Sequence, residues 1–286
     1  MVKPVIGILG GSGFVGSYLS NELIKNGYAV RIITRKRENA RHLWPLPQSE
    51  IKVTKTFTKE ALSQVLDGCV AVVNLIGVLN EKWDNGKGFK AVHTDITGNL
   101  LEACKRLDIP QLLQITALNA NKSEASYYLK SKNAAEAILL ANKAEKTIKA
   151  NRNGKATSLP KVTIIRPSVI FGSRDSFTNR FHTLLKFSPP IFPLAMGHTR
   201  LQPIYVGDVV NTILKIIQNP QIRQEAYDIA GPEILTLKEI VEYIAKLAFI
   251  SISINPTLKP ISKELQGKHF SRKNGPNSYY GQKNIK

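Results

Sequence analysis

Cysteine is nearly missing: the 286 residues hold two, Cys69 and Cys104, both in apolar surroundings. Two such thiols build no disulfide framework; they suit a reducing compartment and read as small buried hydrophobes. The five histidines, at 42, 93, 182, 198 and 269, show no metal-ligand spacing, so no metal site is expected. Long apolar runs are missing too, and none reaches the roughly 18 residues of a membrane-spanning helix. The first run is broken by glycines and lacks a small-residue cleavage site, so it does not read as a signal peptide. Carboxylates are scarce. Asp and Glu number 21 against 40 Lys and Arg, a formal net charge of +19. The excess concentrates in residues 141–161 and from Ser251 to Lys286, where seven Lys or Arg face one Glu. Neither stretch carries a nucleic-acid fold signature or regularly interleaved aromatics, so nucleic acid is not the expected partner. Solvated basic segments explain both, and an anionic membrane face or an acidic protein is the alternative partner. The expected compartment is the cytoplasm, with the charge leaving room for peripheral attachment at the inner face of a membrane.

Hydrophobic residues make up 43% of the chain, enough for a sizeable core in one large or two unequal domains. Their order is informative. "PVIGIL" is a short strand; "FVGSYLSNELIKNG" puts Val15, Leu19 and Leu23 on one helical face and stops at Asn26-Gly27. "YAVRIITR" is a second strand. "TKEALSQVLDG" is a helix, "CVAVVNLIG" a fully buried strand, "TGNLLEACKRLDIP" a helix and "QLLQITAL" a strand. Strands and helices alternating at this interval predict a doubly wound parallel α/β sheet with right-handed crossovers. Near-continuous apolar strands require cover on both faces.

Between the first strand and the first helix lies "GGSGFVGS", with Gly10, Gly13 and Gly16 three apart. A glycine motif that leaves a strand and opens a helix is a dinucleotide-binding fingerprint. One glycine makes the turn, one lets backbone approach a pyrophosphate, and one lets helix and strand pack; the helix N-terminus offers free N–H groups to phosphate. Gly10, Ser12, Gly13, Phe14, Val15 and Gly16 are therefore cofactor-binding candidates. The second strand ends "TRKRENA", where an NAD site would place a carboxylate. Arg35 stands there instead, and a guanidinium pairs with a 2′-phosphate. NADP(H) is favoured, and nearby Glu38 keeps NAD(H) open.

Thr116 stands at the end of the predicted fifth strand, and Tyr128 follows twelve residues later. Lys132 lies one helical turn beyond, on the same face as Tyr128. A phenol with pKa near about 10 needs a neighbouring cation to serve as an acid-base at neutral pH. Tyr128, Lys132 and Thr116 are the catalytic candidates: acid-base, its tuning ammonium, and a hydroxyl to hold the substrate oxygen.

The G-x-x-G-x-x-G spacing with the Tyr-Lys pair resembles the short-chain dehydrogenase/reductase superfamily. Leu9, where its extended branch usually has Thr, points to the atypical branch. "NLIGVL" (74–79), "VTIIRPSVIFG" (162–172), "FTNRF" (177–181), "LQPIYVGDVV" (201–210) and "AYDIAGPEILTLKEIVEYIA" (226–245) together resemble one family within the epimerase/dehydratase-like proteins. It is the family of the nucleotide-binding accessory subunit of respiratory complex I and its stand-alone bacterial relatives. The resemblance implies a Rossmann-type domain over 1–172 and a small C-terminal lobe over 173–250, with a strand near 225–231 returning to the sheet. Two stretches depart from the family pattern: a basic insertion at about 141–160, and residues 251–286, which show no helix or strand period and read as an irregular basic tail. The resemblance also implies that Leu75, Ile76 and Gly77 lie along the adenosine-ribose side of the cofactor, that Pro167, Ser168 and Val169 flank the nicotinamide, and that Lys132 holds the ribose. Asp208 would open a helix of the small C-terminal lobe, or is simply an N-cap residue, and Thr236 with Glu239 forms a capping box. The implied activity is hydride exchange between NADP(H) and a carbonyl or alcohol. A cofactor-holding structural or assembly protein is the alternative, favoured by the shortened C-terminal part.

Overall fold

The computed structural model describes residues 2–81, 85–120, 126–142, 159–188, 191–221, 225–251 and 253–258. The chain opens with β1 (Val5–Leu9), α1 (Phe14–Lys25), β2 (Ala29–Thr34), a 3-10 helix at Arg37–Leu43 and β3 (Ser49–Val53). There follow α2 (Lys59–Leu66), β4 (Cys69–Asn74), and α3 (Lys87–Phe89), which runs through a π-helical stretch at Lys90–Asp95 into α4 (Ile96–Arg106). Next come β5 (Gln111–Ile115), α5 (Tyr127–Ala141), β6 (Lys161–Pro167), β7 (Ile170–Phe171), α6 (Thr178–Lys186) and β8 (Ile191–Ala195). The remainder is β9 (Arg200–Leu201), β10 (Ile204–Tyr205), α7 (Val206–Gln218), β11 (Ala226–Ile229), β12 (Leu235–Thr236), α8 (Leu237–Leu247) and β13 (Ser253–Leu258).

Seven strands pair in parallel in the order β11-β6-β5-β4-β1-β2-β3. This is the doubly wound sheet that the alternation predicts. One face is covered by α1 and α7, with Leu19, Leu23, Ile213 and Val209 in the core; the other by α2, α4 and α5, with Leu62, Leu100, Cys104 and Leu139. A third apolar cluster joins α6, α8, β8 and β13 through Leu185, Val241, Phe192 and Ile254. The strand order reverses between β1 and β4, which opens a crevice at their C-terminal ends.

Local signals act as expected at several ends. Gly27 and Gly68 take φ of 89° and 78° where α1 and α2 stop. Thr236 and Glu239 form the reciprocal capping box of α8.

Four readings need correction. The edge strand β3 was not foreseen, because its burial follows no clean alternation. Val70 at the start of β4 is 40% exposed, so that strand is not fully buried. Asp208 does open a helix, in the first turn of α7 after the cap residue Tyr205, but α7 packs on α1 against the main sheet and not in the small C-terminal lobe. Residues 253–258, expected within an irregular tail, form β13 in parallel with β8, with Ile254 buried between the strands and α8. Most of the basic insertion (143–158) and of the tail (259–286) lies outside the described residues.

A buried ion pair ties the sheet to α5. Glu136, 1% exposed, accepts from Arg166 Nε and Nη2 at 2.9 and 2.5 Å, and Arg166 Nη1 reaches Asp228 of β11 at 3.4 Å. Removing one partner leaves a buried charge unmatched, which costs about 3–5 kcal/mol. Arg166→Leu should lower unfolding free energy in urea by that amount, and Arg166→Leu with Glu136→Leu should cost markedly less. Equal losses would show that the pair is not acting as a buried unit.

Candidate functional site

The glycines divide their work as a dinucleotide cradle requires. Gly10 turns the chain out of β1 with φ of 74°, where a Cβ would stand 3.1 Å from the Ile76 nitrogen. A Cβ on Gly16 would stand 2.5 Å from Gly11 Cα, so helix and turn meet backbone to backbone. Gly13 caps α1 with no side-chain hydrogen bond, and a Cβ there would meet only the Gly10 carbonyl, at 3.2 Å. The first turn of α1 carries no acid. Free N–H groups, no capping side chain and no repelling charge fit a pyrophosphate.

Ser12, Gly13 and Phe14 line a groove of about 420 Å³ with Ser17, Tyr18 and Arg174. Phe14 packs edge-on against Tyr18 at 5.7 Å, and Val15 is half-buried against the core. At the neighbouring strand end, Arg35 and Lys36 are exposed and make no ion pair among the described residues. Arg37 and Arg41 instead sit 5.8 Å from the Trp44 ring.

On the other side of β1, Leu75 N bonds Leu9 O at 2.9 Å and Ile76 N bonds Asn74 Oδ1 at 3.1 Å. Gly77 follows, and a Cβ on it would lie 3.4 Å from Lys132 Nζ. The predicted helix pair is in place: Lys132 Nζ stands 5.9 Å from the Tyr128 ring centroid and donates to Ile115 O at 3.4 Å. Lys132 is 3% exposed, and burial lowers its pKa from 10.5 to about 8, with Glu136 opposing. The Tyr128 hydroxyl has no hydrogen-bond partner among the described residues. Burial pushes its pKa up, not down as the neighbouring ammonium led us to expect; desolvation of the phenolate prevails. Pro167, Ser168 and Val169 act here through backbone: Pro167 O accepts from Leu118 N, Ser168 N donates to Ile229 O, and Val169 O accepts from Ile204 N.

Residues 6–230 match the sequence profile of the NAD dependent epimerase/dehydratase family. The chain belongs to that family. It is 28% identical over 241 residues to the Arabidopsis thaliana mitochondrial NADH dehydrogenase [ubiquinone] 1 alpha subcomplex subunit 9, covering 82% of this chain and 56% of that protein. The chain thus spans less than three fifths of the length of the Arabidopsis, mouse and rat complex I subunits it matches. It is 24% identical over 218 residues to a ceramide reductase of Caulobacter vibrioides, covering 76% of this chain and 62% of the other. The crystal structure of a UDP-glucuronic acid 4-epimerase from Bacillus cereus in complex with NAD superposes with a TM-score of 0.73 at 18% identity, over 88% of this chain and 86% of that one. That likeness concerns the fold. Among the described residues, no helix is long and apolar enough to cross a membrane, and no His/Cys/Asp/Glu cluster could hold a metal.

Against this epimerase/dehydratase frame, one candidate changes role. Thr116 is 5% exposed and its Oγ1 donates to Glu136 Oε1 at 2.6 Å. Its proton is committed to a buried carboxylate instead of a substrate oxygen, so Thr116 is a positioning group in this geometry. Residues that the pattern did not reveal complete the wall. His93 Nε2 accepts from Val78 N at 3.1 Å, and its Nδ1 lies 2.8 Å from Ser131 Oγ, which itself donates to Tyr128 O. The ring is therefore neutral with its proton on Nδ1, and it packs edge-on against Tyr128 at 5.4 Å. The usable signal was the helix register: Tyr128, Lys132 and Glu136 share a face at steps of four, with Ser131 beside them.

Burial, with the Lys132 ammonium adding, lowers the His93 pKa from 6.5 to about 3. The unfolded ring takes up a proton below 6.5 while the folded ring refuses it, so this group removes stability as pH falls through that window. The slope is about 1.4 kcal/mol per pH unit. His93→Gln should flatten the pH dependence of urea unfolding by that much; an identical slope in both proteins would mean the ring is not held neutral.

Proposed function

We propose that the chain is an NADP(H)-dependent reductase of a carbonyl group, with Tyr128 as the proton donor. The observation that carries this reading is the Tyr128–Lys132 pair beside Gly77, with the phenol unpaired among the described residues and the ammonium buried. Gly10, Gly13 and the α1 N-terminus would hold the pyrophosphate, and Arg35 the 2′-phosphate. Gly77 and Lys132 would face the ribose and Pro167 to Val169 the nicotinamide. When bound, the nicotinamide supplies the hydride that the carbonyl carbon receives. Tyr128 hands its proton to the carbonyl oxygen. A phenol whose pKa is raised by burial keeps that proton at neutral pH, which suits reduction over alcohol oxidation. Lys132 holds positive charge against the developing phenolate, and the Thr116–Glu136–Arg166 network keeps the lysine's helix in register. A relative bearing the name ceramide reductase supports the reductive direction.

A second reading is a cofactor-holding structural or assembly protein. It is favoured by the committed hydroxyl of Thr116 and by relatives named as subunits of NADH dehydrogenase.

One measurement tests the cofactor assignment and a second separates the two readings. Because Arg35 makes no ion pair among the described residues and stands where a carboxylate would serve NAD, NADPH should bind at least about tenfold more tightly than NADH, about 1.4 kcal/mol, in calorimetric titration. Arg35→Asp should erase that preference; equal affinities in the unaltered protein would sink the NADP(H) assignment.

Tyr128→Phe should leave NADPH affinity and melting temperature nearly unchanged. NADPH consumption with any accepted carbonyl should fall at least about 100-fold. Turnover that survives the change refutes the acid-base role, and a protein that binds NADPH yet consumes none across a carbonyl panel favours the structural reading.

A further inference from the structure

The helices α6 and α8 pack on each other around Leu185, Val241 and Ala245, and the strands that follow them run side by side. β8 and β13 are parallel, starting from the Ile191–Ser253 pair. The connections leaving α6 and α8 therefore emerge at the same end of this layer. Each carries an exposed phenylalanine: Phe187 is 80% exposed and Phe249 is 97% exposed. Leu184 and Leu247, just before them, are 49% and 64% exposed. Phe249 moreover sits at φ of 56°, a left-handed position at a helix end that glycine or asparagine fills at lower cost. Four large apolar groups at one end of a layer form an exposed patch of the kind that marks a contact surface.

The charged groups next to the rings are basic, and Glu242, one turn before Lys246, is paired with Lys238. Lys186 lies 5.9 Å from the Phe187 ring centroid, and Lys246 is in the last turn of α8. Neither makes an ion pair among the described residues. The sequence has no Asp or Glu from 176 to 207 or from 243 to 263. The chain leaves β13 at Leu258 beside Ala195, the far end from the phenylalanines.

From this juxtaposition we infer that the Phe187–Phe249 end of the α6–α8 layer inserts into an anionic lipid surface. Protruding rings penetrate the interface between headgroups and acyl chains, while the two ammonium groups meet acidic headgroups. A protein partner would have to build a pocket for each ring. This surface does not depend on the dinucleotide site, so Tyr128→Phe should bind lipid as the unaltered protein does.

The test is co-sedimentation of the full chain with vesicles of phosphatidylcholine alone and of phosphatidylcholine with phosphatidylglycerol, at low and high salt. The expected result is binding that requires phosphatidylglycerol and weakens with salt. Phe187→Ser with Phe249→Asn should reduce partitioning at least about tenfold at an unchanged melting temperature, since both rings are exposed. Lys186→Gln with Lys246→Gln, which leaves the apolar groups in place, should weaken both the lipid-charge and the salt dependence. No vesicle binding, or binding to polyglutamate but not to vesicles, overturns the inference in favour of no partner or an acidic protein. Binding that is indifferent to lipid charge, or that is unaltered in both double variants, overturns it as well.

Discussion

Between the start of α1 and the turn that leaves β1 there is no room for a side chain. A Cβ on Gly16 would stand 2.6 Å from the Gly11 carbonyl oxygen and 2.7 Å from that of Gly10. This backbone contact sets the height of α1 over the sheet. It leaves the helix N-terminus at the C-terminal edge of β1, next to the crevice where the strand order reverses. The Leu75 and Ile76 backbone then closes against Gly10, and Gly77 is brought under α5. A fold that needs glycine for its packing thus acquires, at the same place, a cluster of unoccupied N–H groups suited to phosphate.

The opposite wall depends on burying charge in matched sets. Lys132 is almost sealed from water and is kept there by Glu136 four residues on, which itself is satisfied by Arg166 and Thr116. His93 contributes no charge at all. It ties the Val78 loop to α5 and props the ring of Tyr128. The Tyr128 hydroxyl, on a half-buried ring, has no hydrogen-bond partner among the described residues, and the fully buried polar atom that lacks one there is Asn142 Oδ1 at the end of α5. Polar interiors are costly unless their groups are paired, and here Lys132, Glu136, Arg166, Thr116 and His93 all find partners beside the half-buried phenol.

What was legible from residue types alone is local. The β1–α1–β2 unit could be read because glycine spacing, a strand and a helix stop are all written within thirty residues. Tyr128 and Lys132 could be read because steps of four share a helix face. The hydroxyl direction of Thr116 could not be read, because it is decided by Glu136, twenty residues away on another element. His93 gave no warning either; it lies in a π-helical stretch and its partners come from two distant segments. β13 was hidden because its one buried isoleucine sits in a polar, basic neighbourhood, although "ISISI" at 250–254 alternates as a half-buried strand does. Edge and outlying strands are set by the neighbours they meet, and those lie outside any short window.

The strand order also carries a timetable. β6 forms its hydrogen bonds to β5 on one side only, and the other side is closed by β11, whose first residue is Ala226. During synthesis, the hydrophobic edge of β6 stays open while β7, α6, β8, β9, β10 and α7 are being made. An unpaired, buried-type strand edge is a template for wrong partners. The nascent chain is thus open to misassociation in the interval before residue 226 emerges, when the glycine turn and α1 at its N-terminus already have all of their residues.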